Sequence, residues 1–379
     1  MKKIFLVLSA PQMFNFMRGQ GARLRQLGYE ATVVSSESDL LDSQAREDGV
    51  SRSTIPIVRN ISIVRDFDTL VALCRLLARD KPDAILLSGP KAIFLGGIAA
   101  WFLGINRRIL VYHGMRQEAM QGLARFLMDA CDRVSFATAD RVLTVSPSLR
   151  RLIVSHGLVP SHKVTVTGNG TANGIDCSWF STTPDVRAAA DALRSQLGIP
   201  PKAPVLGFVG RITEDKGIEY LLDVIDAVRL EFPDVVLLAV GPDEIKTAAL
   251  KNRWLSACDN AKVIWVGGVS DVRAYLHLMY VHVFPSLREG FGLAIAEAAA
   301  MQVPSVGFRV TGVVDAISNG ETGALVQLGD SQAMAKQVLY YLRDPVKRAA
   351  HGVRGRARVL KLFSPETTWV AYSAALTVD

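Results

Sequence analysis

The stretch Tyr280-Val281-His282-Val283-Phe284-Pro285-Ser286-Leu287-Arg288-Glu289-Gly290-Phe291-Gly292-Leu293-Ala294-Ile295-Ala296-Glu297 decides how the chain folds. Tyr280 to Phe284 is a valine-rich run that reads as a buried strand. Gly290-Phe291-Gly292 reads as a turn, and Ala294 to Met301 as the start of a helix. That order builds an anion site, because free N–H groups and the positive end of the helix dipole converge on the turn. Glu289 and Glu297, eight residues apart, flank it. Carboxylates do not bind phosphate, but a carboxylate accepts two hydrogen bonds from a vicinal diol. A sugar on one side, a diphosphate in the middle and a ribose on the other outline a nucleotide-sugar site.

Working outward, the same unit recurs along the chain. Residues 4–8, 31–35, 84–87, 109–113, 141–145 and 164–167 read as strands in the first half. Residues 205–209, 235–240, 262–266, 281–284, 305–308 and 324–326 do so in the second. Helical patterns, such as 19–27, 69–79, 216–231 and 330–342, fall between them. Such alternation predicts an α/β protein with two doubly wound parallel-sheet, Rossmann-like domains facing a cleft. Ligands are expected at the C-terminal ends of the strands. The loop-rich segment from Gly168 to Asp176 predicts the boundary, giving domains 1–175 and 176–364, and Pro184 and Pro200-Pro201 lead into the second sheet. A C-terminal helix over 365–379 is expected to pack back on the first domain.

Composition supports a globular chain: of 379 residues, 49% are hydrophobic and 21% charged, enough to bury two cores. Cys74, Cys131, Cys177 and Cys258 are scattered, which predicts reduced thiols in a cytoplasmic protein and no zinc site. The apolar run at residues 4–8 is too short for a signal peptide and is followed by a polar, basic stretch. Residues 92–105 form the longest apolar stretch, short of the roughly 20 residues that span a bilayer, so a buried helix is expected there. Charge is uneven. Residues 1–175 hold 22 Lys and Arg against 14 Asp and Glu, and residues 176–379 hold 21 against 22. The basic half predicts an anionic partner such as a membrane surface, a nucleic acid or a phosphorylated acceptor; solvated helix faces are the plain alternative.

A second motif is Val205-Leu206-Gly207-Phe208-Val209-Gly210-Arg211-Ile212-Thr213-Glu214-Asp215-Lys216-Gly217. A buried strand ends at Gly210, and Arg211 and Lys216 straddle a short loop before a helix. Arginine offers a planar fork to phosphate oxygens and lysine a mobile point charge. A departing nucleoside diphosphate gains negative charge as its bond to the sugar breaks, so fixed cations there lower the barrier. Taken alone, these cations read better as ordinary salt-bridge partners of Glu214 or Asp215 at a helix N-terminus; beside the Glu289 turn the diphosphate reading is the stronger one.

Gly210-Arg211 with Lys216-Gly217, and Arg288-Glu289-Gly290-Phe291-Gly292-Leu293 with Glu297, resemble the family 4 retaining glycosyltransferases of GT-B fold. The likeness extends over Gly28-Tyr29-Glu30, Lys81-Pro82-Asp83, Asn173-Gly174-Ile175-Asp176, Val303-Pro304-Ser305-Val306 and Asn319-Gly320-Glu321-Thr322-Gly323, nearly the whole chain. Gly114-Met115-Arg116-Gln117-Glu118 and residues 167–176 look most like the branch that assembles capsule and surface glycans on polyprenyl-diphosphate carriers. The resemblance implies transfer of a sugar, with retention, from a nucleoside-diphosphate donor, expected to be a UDP-sugar carrying a hexose or an N-acetylhexosamine. It implies Glu297 on the donor ribose, Glu289 on the donor sugar, and the backbone of Gly290, Phe291, Gly292 and Leu293 on sugar and diphosphate. Arg211 and Lys216, after Gly210, would hold the diphosphate, and Val266 would meet the base. His113 stands where some members carry a donor-side histidine, although a lone histidine is more often structural. Acceptor contacts are expected at Arg18, Gly19, Arg116 and Asn173. Two positions depart from the family pattern: Asp315 replaces a glutamate, and the acceptor loop from Phe14 to Gly21 lacks the usual glycine pair.

The expected partners are therefore a nucleotide-sugar, a glycan or lipid-linked saccharide acceptor, and an anionic membrane touched peripherally at its cytoplasmic face. No cofactor or metal is expected. Asp66-Phe67-Asp68 has the form of a metal-binding DxD, but it precedes the helical pattern at 69–79, where an aspartate is a natural N-cap. Gly19-Gln20-Gly21 lacks the third glycine of a dinucleotide fingerprint. No nucleic-acid-reading module is visible. An epimerase on the same fold and a non-catalytic nucleotide-sugar-binding protein are the rival readings.

Overall fold

The computed structural model describes residues 1–58 and 62–377, the side chains of Arg116 and Ala119 excepted. Two compact units emerge: residues 1–174 with the C-terminal helix Pro365–Thr377, and residues 175–364. In the first, strands β1 (Lys2–Leu8), β2 (Tyr29–Ser35), β3 (Ser51–Thr54), β4 (Ala84–Ser88), β5 (Arg107–Tyr112), β6 (Arg141–Thr144) and β7 (Val164–Val166) pair in the order β3-β2-β1-β4-β5-β6-β7. In the second, β8 (Val205–Val209), β9 (Val236–Val240), β10 (Val263–Trp265), β11 (Val281–Phe284), β12 (Ser305–Phe308) and β13 (Gly323–Val326) pair in the order β10-β9-β8-β11-β12-β13. Every pairing is parallel, with Val7 level with Val34 and Leu87, and Val283 level with Val306. The strand order reverses beside β1 in one sheet and beside β8 in the other, and those switch points open crevices at the C-terminal strand ends.

Central strands are buried on both faces and so read as continuous apolar runs. β3 does not: Ser51-Arg52-Ser53-Thr54 carries no apolar side chain, because this strand sits at the edge and is partly exposed. The C-terminal helix is tied to the first unit by Tyr372, whose hydroxyl donates to the Ala172 carbonyl at 2.7 Å, and by Tyr29, which donates to the Leu376 carbonyl at 3.2 Å.

Two expectations need correction. The helix predicted from Thr69 begins at Ile63, so Asp66 and Asp68 lie inside its first turns and neither is the N-cap. The Asp66 carboxylate accepts the Ser62 amide at 3.1 Å and pairs with Lys91, both side chains being largely enclosed. The apolar pattern failed to mark this start because Ile63, Val64 and Phe67 all face solvent. The stretch 92–105 is not a single buried helix either. A wide π-turn at Ala92–Gly96 leads into a short α-helix, Gly97–Phe102, whose last residues Trp101 and Phe102 are exposed. Among the described residues, no helix is long and apolar enough to cross a membrane, and no cluster of three or more His, Cys, Asp or Glu could hold a metal ion.

Candidate active site

The C-terminal ends of β8 and β9 meet through glycine. A Cβ on Gly241 would drive into the carbonyl of Gly210, whose own amide donates to Val240 at 2.9 Å. The chain beyond β8 is pinned by the Ile212 amide on the Pro242 carbonyl at 2.8 Å, turns through Glu214–Lys216, and enters the helix Ile218–Arg229 by way of Gly217 in the left-handed region, φ +71°. The loop after β11 fastens to this turn. The Leu287 amide and the Ser286 hydroxyl both donate to the Asp215 carbonyl, at 3.0 and 3.3 Å.

That clasp sets the charged groups. Lys216 Nζ forms an ion pair with Glu289 Oε1, and both side chains are largely enclosed, 16% and 13% exposed. Arg211, more open, pairs with Glu244 at 2.8 Å and with Asp215 at 3.5 Å, and Arg288 reaches the same Asp215 carboxylate at 3.5 Å. Burial alone would raise the Asp215 pKa. The Thr213 hydroxyl and the charges of Arg211, Lys216 and Arg288 outweigh it and hold the carboxyl below the usual aspartate value. Glu214, adjacent in sequence, makes no pair with Arg211. It accepts the amides of Lys246 and Thr247 at 2.9 and 2.8 Å and the Thr247 hydroxyl at 2.9 Å, and these donors overcome burial to bring it down to about 2. Glu244 was invisible to the sequence reading. It lies 33 residues beyond Arg211 in a loop without regular structure, and no local signal links the two.

On the other side of the clasp, Gly292 at φ +87° caps the helix Leu293–Ala300. A Cβ on Gly312 would come within 2.7 Å of the Phe291 amide nitrogen, so that glycine lets the following helical turn, Val313–Ala316, press against the Gly290-Phe291 backbone. Asp315, the residue that departs from the family pattern, lies in that turn, and Arg358 donates to its carbonyl at 3.0 Å. Phe291 is 4% exposed and packs edge-on against Phe363, centroids 4.9 Å apart; only its backbone remains for a ligand. Glu297 lies one turn into the helix. Among the described residues nothing donates to its carboxylate, and burial pushes it up to about 7 although part of the side chain still meets solvent. Val266 follows β10, and its amide is taken by the Ala239 carbonyl at 3.1 Å. The second unit therefore gathers Gly210, Arg211, Lys216, Glu289, Gly290, Gly292, Leu293 and Glu297 at the C-terminal strand ends beside the β8–β11 switch point.

In the first unit, His113 directly follows β5. Its Nε2 is 2.8 Å from Ser88 Oγ, the Phe16 ring lies 5.1 Å away, and burial lowers its pKa to about 4, so the ring is neutral at physiological pH. Arg18, Gly19 and Asn173 come together, but much of their capacity is used internally. The Gly19 amide donates to both Asp48 carboxylate oxygens at 2.8 Å, and Arg18 pairs with Glu47 at 2.7 Å. Asn173 donates to the Arg18 carbonyl at 2.7 Å and accepts from Gln20 at 2.9 Å, which makes it a strut of this loop. The Arg116 side chain lies outside the described residues. Two concavities occur elsewhere, one lined by Asn319, Gly320 and His351 and the other by Lys2, Tyr29, Asp83 and Arg107. They open at the starts of β13 and of β1, β2 and β5, away from these groups.

Known proteins share this architecture. Residues 203–344 match the family described as glycosyl transferases group 1, and residues 15–170 match the glycosyl transferase 4-like domain. The chain is 31% identical over 368 residues to the capsular polysaccharide biosynthesis glycosyltransferase CapM of Staphylococcus aureus, covering 97% of this chain and 95% of that one. It is 24% identical over 322 residues, 84% of this chain and 81% of the other, to an Escherichia coli UDP-Gal:alpha-D-GlcNAc-diphosphoundecaprenol alpha-1,3-galactosyltransferase. Among solved structures, Anabaena Alr3699/HepE in complex with UDP and glucose superposes with a TM-score of 0.81 at 18% identity, both chains covered in full. The chain belongs to the group 1, family 4 glycosyltransferases and has their GT-B fold.

Proposed function

We propose that this glycosyltransferase moves a sugar, with retention, from a UDP-sugar to a polyprenyl-diphosphate-linked saccharide during surface polysaccharide assembly. The observation that carries the donor half is the enclosed Lys216–Glu289 pair beside a glycine-capped helix start, with the unpartnered Glu297 one turn further on. The UDP held by the Anabaena neighbour and the diphosphoundecaprenol acceptor in the name of the Escherichia coli relative support the two ends of the reaction.

In this reading Glu297 accepts the ribose diol and Glu289 a hydroxyl of the transferred sugar. The turn amides and Arg211 and Lys216 face the diphosphate, Val266 lies against the base, and His113 acts from the first unit. Arg18 and Gly19 belong to the acceptor loop, with Asn173 bracing it. The bond from the anomeric carbon to the diphosphate oxygen breaks, and its electron pair leaves with the diphosphate. The acceptor hydroxyl attacks the same face and passes its proton to the departing oxygen. The protein contributes position and fixed positive charge. No metal or cofactor enters the scheme, and a lipid-linked acceptor places the enzyme at an anionic membrane surface.

A thermal-shift screen of nucleotide-sugars tests the donor, since a ligand that binds only the folded state raises its melting temperature. Turnover with a lipid-linked acceptor, and the anomeric configuration of the product by NMR, test the transfer. Arg211→Ala should lower turnover about tenfold or more; a wild-type rate would remove Arg211 from the diphosphate.

Glu297 supplies a pH test. Its carboxyl, near 7 when free, must be ionised to accept two diol hydroxyls, so UDP affinity should rise as pH increases through 7. At neutral pH, binding should release protons, measurable by calorimetry in buffers of different ionisation enthalpy. Glu297→Gln should abolish that release, and unchanged UDP affinity in Glu297→Ala would defeat the ribose assignment. Stability should move the opposite way. The folded pKa lies above the ordinary glutamate value, so this residue's contribution is fully present below about 4.5 and is lost as pH rises through about 7.

A further inference from the structure

The helix Gly122–Thr138 is built inside out. Its buried positions are Ser135, Phe136 and Thr138, while Leu123, Phe126 and Leu127 are each more than half exposed and Val134 is 42% exposed. Their spacing places them on one stripe, the pattern of an amphipathic helix whose apolar side faces outward. The first turn of the helix Ile63–Asp80 repeats the arrangement, with Ile63, Val64 and Phe67 all more than half exposed.

Topology brings the two turns to one place. A helix joining parallel strands starts at the C-terminal edge of the sheet. Ile63–Asp80 runs from β3 to β4, and Gly122–Thr138 from β5 to β6. Both pack against the π-turn Ala92–Gly96 that lies between them, so they share one face of the sheet. Six large apolar side chains therefore lie along the edge that also carries His113, in two groups of three on either side of that turn, more than the scattered singles of an ordinary surface.

The charges around them have a sign. Arg65 and Arg125 lie within the two apolar turns, Arg125 only loosely matched by Asp129 at 3.9 Å, and Arg75 and Arg133 are exposed further along the same helices. Asp66 turns onto Lys91, and Asp132 onto Tyr112 and Gln117, which leaves Asp68 and Glu118 as the exposed acids beside these two turns, while Glu37 and Asp39 are exposed further along the same edge, after β2. Bulky apolar groups ringed by arginine match a bilayer interface, where the rings and aliphatic groups enter the acyl boundary and the guanidinium groups stay at the phosphates. We infer that this edge of the first unit docks on an anionic lipid bilayer through Ile63, Val64, Phe67, Leu123, Phe126 and Leu127. The inference rests on the lipid-linked acceptor reading for its purpose, but vesicle binding requires neither donor nor acceptor, so the two can fail separately.

The test is co-sedimentation of the full chain with vesicles of phosphatidylglycerol and phosphatidylcholine, against pure phosphatidylcholine. Wild-type protein should bind the anionic vesicles, less so as salt is raised. The variant Leu123→Ser/Phe126→Ser/Leu127→Ser should bind about tenfold more weakly or worse, and Arg125→Glu/Arg133→Glu should lose binding in the same direction. An unchanged circular-dichroism spectrum and melting temperature show that each variant is folded. Trp101 and Phe102 are exposed at the opposite end of this helix layer, and Trp101→Ser/Phe102→Ser should leave vesicle binding intact. Three results would overturn the inference: equal vesicle binding by wild type and the Leu123 variant, no wild-type binding to anionic vesicles, or a wild-type dimer in sedimentation velocity that the same substitutions dissociate.

Discussion

Replacing Lys216 by alanine should lower kcat/KM by about two to three orders of magnitude, the usual loss when one preorganised electrostatic group is removed from a transition state. The effect has two parts. On the proposed reading a cation facing the departing diphosphate is gone, and Glu289, only 13% exposed, loses its partner in a largely enclosed site. The second part should also cost stability, about 1–3 kcal/mol for a carboxylate left without its bond, read as a lower denaturant midpoint. Glu289→Gln in the Lys216→Ala background should return most of that stability while leaving the rate low, because the two residues share one interaction and their effects do not add. Lys216→Arg should not restore turnover, since a planar fork cannot occupy the position of a point charge against Glu289 and the Phe284 ring, 5.9 Å away. Single-turnover rates at saturating donor decide the role. A variant with normal kcat and raised KM would make Lys216 a ground-state binder only.

Much of this was legible in the chain itself. Buried parallel strands have to be continuous apolar runs, so β8, β9 and β11 stand out, and the Gly-Phe-Gly turn between Glu289 and Glu297 declares the start of the helix Leu293–Ala300. What escaped the reading is of two kinds. Some elements obey exposure instead of burial: β3 is polar because it is an edge strand, and the helix from Ile63 shows its apolar residues to solvent. Other features depend on contacts across long stretches of chain. Lys216 and Glu289 are 73 residues apart, and Arg211 and Glu244 33 apart. Local spacing offered Glu214 and Asp215 as partners for Arg211; only Asp215 takes that place, while Glu214 caps a different loop. Asn173 looked like an open ligand in sequence, yet both ends of its amide are spent on neighbours.

Gly217→Ala should be among the most damaging single-methyl changes in the second unit. The residue sits at φ +71°, where a side chain costs about 1–2 kcal/mol, and its Cβ would push into the Pro285 carbonyl. That obstacle is backbone and cannot swing aside, so the loop after β11 must move, at a further cost of about 1–3 kcal/mol. The displacement breaks the bonds from Leu287 and Ser286 to the Asp215 carbonyl and draws Glu289 away from Lys216. A loss of about 2–5 kcal/mol in unfolding free energy is therefore expected, together with weakened UDP binding, although Gly217 has no side chain to contribute a contact of its own. The control is Gly198→Ala. This glycine has a similar φ of +63° and nothing within 4 Å of its would-be Cβ, so it should lose only the conformational part and keep UDP affinity. Equal stability losses in the two variants would mean that the clasp between the loops after β8 and β11 does not hold the site together.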